Sequence, residues 1–177
     1  MAAQTIPGAV SVVAHTVNRL EFRTTATYHE LQARYEEAVP TFDPSLLEGA
    51  TSWDEVLTRT AAVATNGFLL YGRVEAAPLM SLNGHTARST TYLMGNHTIA
   101  ETMYGHNAGV MLYAPLRTVI YEDPEGVTCF AIDQPSTRFA SFRDEAVAAT
   151  GRLLDVKLTT LLEVMGLSVP DVLNAGR

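Results

Sequence analysis

Residues 84–117, GHTARSTTYLMGNHTIAETMYGHNAGVMLYAPLR, concentrate the side chains of this protein that could do chemistry. Three of the five histidines lie here: His85, His97 and His106. His97 and Glu101 are four positions apart, a spacing that puts both on one face of a helix. A carboxylate beside an imidazole raises the imidazole pKa and fixes its tautomer, as a general acid or base needs. His97 and Glu101 are therefore the candidate catalytic pair. The plainer alternative is a first-turn Glu favoured by the helix dipole, with His97 merely at the surface.

The same histidines are candidate metal ligands. His85 follows the turn Asn83-Gly84, and His106 follows Gly105. In an unbroken helix His106 would sit about 180° from His97, at about 100° per residue. His85, His97 and His106 gather around a divalent metal, with Glu101 in reach, only if the backbone turns at Gly105. Otherwise each serves a local hydrogen bond. Met94, Met103, Met111, Tyr92, Tyr104 and Tyr113 add a soft aromatic lining. Such a lining suits a haem with a histidine axial ligand, and equally suits ordinary core filling. Attachment signals of the C-x-x-C-H type are absent.

Arg88 and Arg117 flank the stretch. Either could grip a carboxylate or phosphate bidentately, near the backbone N–H groups that open a helix after Asn96. Either could instead pair with one of the 19 acidic residues. His85, Arg88, Asn96, Tyr104 and Arg117 are thus the ligand-binding candidates. No GxxxxGK[ST], GxGxxG or GxSxG motif is present.

The elements that must position these residues follow from pattern. Residues 17–25 alternate as a strand. Thr27 with Glu30 is a capping box opening a helix that stops at Pro40, with Leu31, Tyr35 and Ala38 inward. Ser52 with Glu55 predicts a second box and a helix over 53–66 burying Val56, Leu57, Ala61 and Val63, with Trp53 as a staple into the core. Strands are expected at 68–74, 86–94, 110–122 and 127–133, the last two joined by the turn Asp123-Pro-Glu-Gly126. Asn96 is a favoured N-cap for a helix over about 97–105. Ser141 is expected to cap a last helix over 143–165, with Leu154, Leu158, Leu161 and Met165 as its core stripe. The order β-α-α-β-β-α-β-β-α predicts an α+β domain: an antiparallel sheet with helices on one face. Ser and Thr on both faces of 86–94 predict that this strand lines a wet cavity, an interface or an edge.

Composition sets the bounds. The chain has 177 residues, is 47% hydrophobic and 18% charged, and carries a net charge of −7. That is enough to bury a core in one domain, read as 17–177 after a loose arm over 1–16. Twelve Lys and Arg without a cluster argue against nucleic acid and anionic membranes. The N-terminal residues do not read as a signal peptide, and no apolar run is long enough to span a bilayer. The single cysteine, Cys129, sits in an apolar run and fits a reducing cytoplasm.

Residues 92–133 carry a resemblance. An apolar strand Tyr92-Leu93-Met94 ends in the step Gly95-Asn96. A short helix to about Tyr104 follows, then Ala114-Pro115-Leu116, an acidic turn from Glu122 to Gly126, and a returning strand. This pattern resembles the bacterial family called domain of unknown function 302, and weaker likeness extends over about two-thirds of the chain. His97 stands where the family usually has Pro, and the helix at 53–66 and the C-terminal helix make this chain look extended. The resemblance implies an α+β fold of the TATA-box-binding-protein-like class, a homodimer, and no assigned activity. Fold alone implies no DNA binding. Together these readings lead to a small-molecule-binding domain with a pocket between 86–94, 97–105 and 110–118. The alternatives are an enzyme built on His97 and Glu101 or on a histidine-held haem or metal, and a structural dimerisation module.

Overall fold

The sheet has five strands in the order β1-β5-β4-β3-β2, every neighbouring pair antiparallel. They are β1 (Arg19–Thr24), β2 (Leu69–Glu75), β3 (Ser89–Gly95), β4 (Leu116–Glu122) and β5 (Thr128–Asp133). These come from a computed structural model that describes residues 8 and 10–173. Six helices accompany them: α1 (Tyr28–Ala38), α2 (Trp53–Val63), α3 (Ala77–Met80), α4 (His97–Tyr104), α5 (Pro135–Phe139) and α6 (Glu145–Val164). The chain leaves edge strand β1, crosses to the far edge β2, then returns strand by strand through β3 and β4 to β5 beside β1. The mixed α and β architecture expected from the sequence is present, with α3 and α5 as short additions. Of the expected N-terminal arm, residues 1–7 and 9 lie outside the described residues; 10–16 are exposed and form no helix or strand.

Strand alternation divides the sheet. Thr90, Tyr92, Met94, Leu116, Thr118, Ile120, Phe130 and Ile132 are buried on one face. Leu31 and Tyr35 of α1 and Leu154, Leu158 and Leu161 of α6 join them in one core. The threonines of this face are not wet. Tyr28 Oη and Thr90 Oγ1 are 2.5 Å apart, Tyr35 Oη and Thr118 Oγ1 2.9 Å, and Tyr92 Oη donates to Glu36 Oε1 at 2.8 Å. A buried hydroxyl without a partner costs about 1–3 kcal/mol, so α1 carries its own tyrosines to the strand threonines. The Ser/Thr richness of β3 therefore marks, on this face, a polar seam inside the core rather than a cavity.

Local signals explain most boundaries. Thr27 and Glu30 complete the expected capping box. Ser52 accepts from Glu55 N, but the Glu55 carboxylate turns back to Thr51 N at 3.0 Å, so the second box is only half made. The expected inward face of α2 is corrected too. Thr60 is its one buried residue, while Trp53, Leu57 and Val63 are 44%, 40% and 37% exposed. The helix is held at the rim of the sheet by polar contacts: Arg59 donates to the carbonyl of Glu48 at 2.8 Å, and Thr60 bonds His97. The expected strand over 110–122 begins only at Leu116, because Asn107 Oδ1 accepts from Gly109 N and opens a 3₁₀ turn over Ala108–Leu112. Asp144, not Ser141, caps α6 by accepting from Val147 N at 3.1 Å.

Candidate functional site

β3 ends in Gly95, packed beside the segment that leads into β4. A Cβ on Gly95 would stand 3.4 Å from Pro115, across the joint where the cis Ala114–Pro115 bond leads into β4. Asn96 then caps α4: its Oδ1 accepts from Thr98 N at 2.9 Å, while its Nδ2 donates to Gly67 O at 3.1 Å. The expected N-cap is therefore present, and it also ties α4 to the turn before β2.

Behind the cap lies an aromatic cluster. β2 carries a β-bulge between Leu70 and Gly72, so Tyr71 is the extra residue and swings out of the regular alternation. Its ring packs 4.9 Å from Phe42, which the parallel bridge between Thr41 and Leu70 holds beside the strand. Tyr71 Oη accepts the backbone N–H of His97 at 3.1 Å and lies 2.7 Å from its Nδ1. Nε2, the other ring nitrogen, lies 2.7 Å from Thr60 Oγ1. A neutral imidazole donates through one nitrogen and accepts at the other, and a hydroxyl can serve either role, so both ring nitrogens are engaged. Burial holds the His97 pKa below the usual imidazole range, consistent with a neutral ring.

α4, the 3₁₀ turn over Ala108–Leu112 and the Ala114–Leu116 segment enclose a cavity of about 390 Å³. Its walls are Ile99, Ala100, Met103, Met111, Pro115 and Leu116, and its floor is Phe139 and Leu154. Asn96, His97 and Tyr71 stand at one end, and Glu101 is its sole charged lining residue. Glu101, Tyr104 and Met111 line it and also face solvent, so they mark the mouth. The cavity overlaps the expected region at the 97–105 helix and at Met111 and Ala114–Leu116, but no residue of 86–94 lines it, and Tyr71, Phe139 and Leu154 come from elements outside that region.

The individual candidates fare differently. His97, Glu101, Asn96 and Tyr104 all line the cavity. His97 and Glu101 share α4, but the imidazole bonds Thr60 and Tyr71 instead of the carboxylate, so no acid–base pair forms. His85 is exposed before β3, and His106 Nδ1 lies 3.4 Å from Asp144. Among the described residues, no group of three or more His, Cys, Asp or Glu side chains gathers in metal-binding geometry. A haem or metal on His97 would have to displace one of its two hydrogen bonds. Arg88 lies at the other end of β3, where Nε and Nη2 grip both Glu122 oxygens at 3.0 and 2.6 Å. That bidentate clasp and the Arg88 backbone N–H pull the Glu122 pKa down to about 2. Arg117 points to the opposite face of the sheet and lines another cavity. The α4 N-terminus offers no open anion site either: Tyr71, Asn96 Oδ1 and Asn96 O accept from the N–H groups of residues 97 to 100.

Sequence reasoning missed Tyr71, Thr60 and Phe42. The available sign was Gly72 inside a strand pattern, since an isolated strand Gly often accompanies a bulge. Nothing local points to Thr60, whose role depends on where α2 docks.

Comparison with known proteins agrees with this architecture. The chain is similar to the crystal structure of uncharacterized conserved protein DUF302 from Bacillus stearothermophilus, with 15% identity and a TM-score of 0.62 over 83% of this chain and 97% of that one. At that identity the likeness establishes the fold. No curated protein matches. None of the described helices is long and apolar enough to cross a membrane. The model of the family described as domain of unknown function DUF302 matches residues 47–164, which span α2 to α6 and every wall of the cavity. The helices at 53–63 and 145–164, which made the chain look extended, lie inside that match rather than outside it. The chain belongs to that family.

Proposed function

We propose that the protein binds a small, flat, mainly apolar molecule in the cavity between α4 and the Ala108–Leu112 turn. The observation that carries this reading is the lining: a cavity of about 390 Å³ walled by Ile99, Ala100, Met103, Met111, Phe139 and Leu154. Small-molecule pockets are commonly about 300–1,000 Å³, apolar, with a few polar groups that orient the ligand. Here Glu101 at the mouth is such a group, while Asn96 and His97 line the far end with their side-chain polar atoms bonded within the protein. Of the anionic or cofactor-like ligand expected from the sequence, the anionic form gives way to a neutral one, because neither arginine reaches this cavity and the α4 N–H groups are already bonded. Catalysis is the weaker reading, since both His97 nitrogens are engaged. The homodimer implied by the resemblance, the single domain over 17–177, and a cytoplasmic setting suggested by the lone buried thiol belong to the same proposal. Light scattering reads the first directly.

N-phenyl-1-naphthylamine, a neutral fluorophore, tests the site. The full chain should enhance its emission saturably at one equivalent. Ala100→Trp fills the cavity from a half-buried helix position, and Met111→Asp puts a charge at its mouth; both should remove the enhancement while the circular dichroism stays native. Unchanged binding in both variants would remove the cavity from consideration.

A further inference from the structure

A second cavity, of about 300 Å³, lies across the Ala114–Leu116 segment from the first and opens on the other face of the sheet. Its lining includes Leu93, Leu112, Tyr113, Arg117, Asp133 and Arg138. Strand alternation sends Arg117 there, since its neighbours Leu116 and Thr118 are buried towards the helices. Leu93 stands opposite it on β3, and Asp133 follows the Thr118–Ile132 pair on β5.

The charges in this cavity do not cancel. Arg138 takes the Asp133 carboxylate through Nε and Nη2, and its guanidinium carbon also stacks 5.0 Å over the Tyr113 ring. The one acid lining the cavity is thereby committed. Arg117 has no ion-pair partner among the described residues, although the chain as a whole carries −7. Two guanidinium groups and one carboxylate leave a local charge of +1 beside an apolar wall of Leu93, Leu112 and Pro115.

We propose that this cavity is a binding site for a small carboxylate with a flat apolar body. The carboxylate would take the two parallel N–H groups of Arg117, the fork geometry that guanidinium offers and lysine does not. The body would lie along Leu93, Leu112 and the Tyr113 ring. A monoanion matches the single surplus charge. A dianion would meet Asp133 with one negative charge left over, so a phosphate ester is the poorer fit.

Titration calorimetry on the full chain tests this with three probes of similar shape: benzoate, benzyl alcohol and phenylphosphonate. Benzoate should bind at one equivalent. Benzyl alcohol, lacking the charge, should bind at least tenfold more weakly, and phenylphosphonate no better than benzoate. Arg117→Gln changes an exposed side chain and should weaken benzoate at least tenfold, whereas Ala100→Trp in the first cavity should leave it unchanged. Benzoate binding that survives Arg117→Gln, or that Ala100→Trp abolishes, overturns the assignment. So does tighter binding of phenylphosphonate, or no saturable benzoate binding at all. The neutral fluorophore reports on the first cavity separately, so either proposal can fail while the other stands.

Discussion

His97 is the residue whose chemistry the fold has most clearly decided. Thr60 and Tyr71 hold its two nitrogens and burial lowers its pKa, so the folded protein favours the neutral ring. The folded pKa lies below the unfolded value of about 6.5, so the unfolded chain binds the proton first. The stabilisation from the neutral ring is complete above about pH 6.5, is lost as pH falls from there to the folded pKa, and does not fall further below it. His97→Gln removes that titration and should cost about 1–3 kcal/mol at pH 8, the range for leaving partly buried partners unpaired. Urea midpoints at pH 8, 6 and 5 should show the gap between wild type and variant narrowing towards acid. A gap that stays constant would mean that His97 is not held neutral.

At the scale of elements, α4 links the site to the rest of the fold through Asn96. One side chain caps the helix and also reaches Gly67 O, so its two ends do separable work. Asn96→Ala should cost about 1–2 kcal/mol as a lost cap and should also weaken fluorophore binding, because α4 is a cavity wall. Asn96→Ser keeps a capping oxygen without the reach to Gly67, and should recover most of the stability. If Ala and Ser behave alike, the cap is not what holds α4. The Gly-Asn step that makes this possible was legible in the sequence, as were the Thr27 box, the Asp123–Gly126 turn and the core stripe of α6, because each is a local rule obeyed locally. The strand expected to start at 110 failed because Asn107 starts a 3₁₀ turn through its own side chain, and an apolar run alone does not distinguish the two. The face of α2 failed for a different reason. Its apolar positions have helical spacing, but Thr60 and Arg59 find polar partners on other elements and set the rotation of the helix. Tyr71 had only the isolated Gly72 as a sign, and its direction was not legible because a bulge is a relation between two strands.

Over the whole molecule, stability resides where α1 and α6 cover the sheet, and α2 sits outside that region. Two leucines at helical positions make the contrast measurable. Leu158 of α6 is fully buried in the cluster with Tyr35, Phe130 and Leu161, whereas Leu57 of α2 is 40% exposed. Leu158→Ala deletes atoms that packed neighbours cannot replace, and should cost about 2–5 kcal/mol. Leu57→Ala removes a side chain that lies outside the core cluster and is already 40% exposed, and should cost about 1 kcal/mol or less. α2 is nonetheless tied to the first cavity, because Thr60 holds His97 at its end. Its contribution to the fold is therefore to the site more than to the core. Thr60→Val keeps the shape and deletes the hydroxyl; it should leave the urea midpoint closer to wild type than Leu158→Ala does, while altering fluorophore affinity. Comparable losses of stability from Leu57→Ala and Leu158→Ala would place α2 in the core and leave the exposed Trp53, Leu57 and Val63 as a face that a further contact covers.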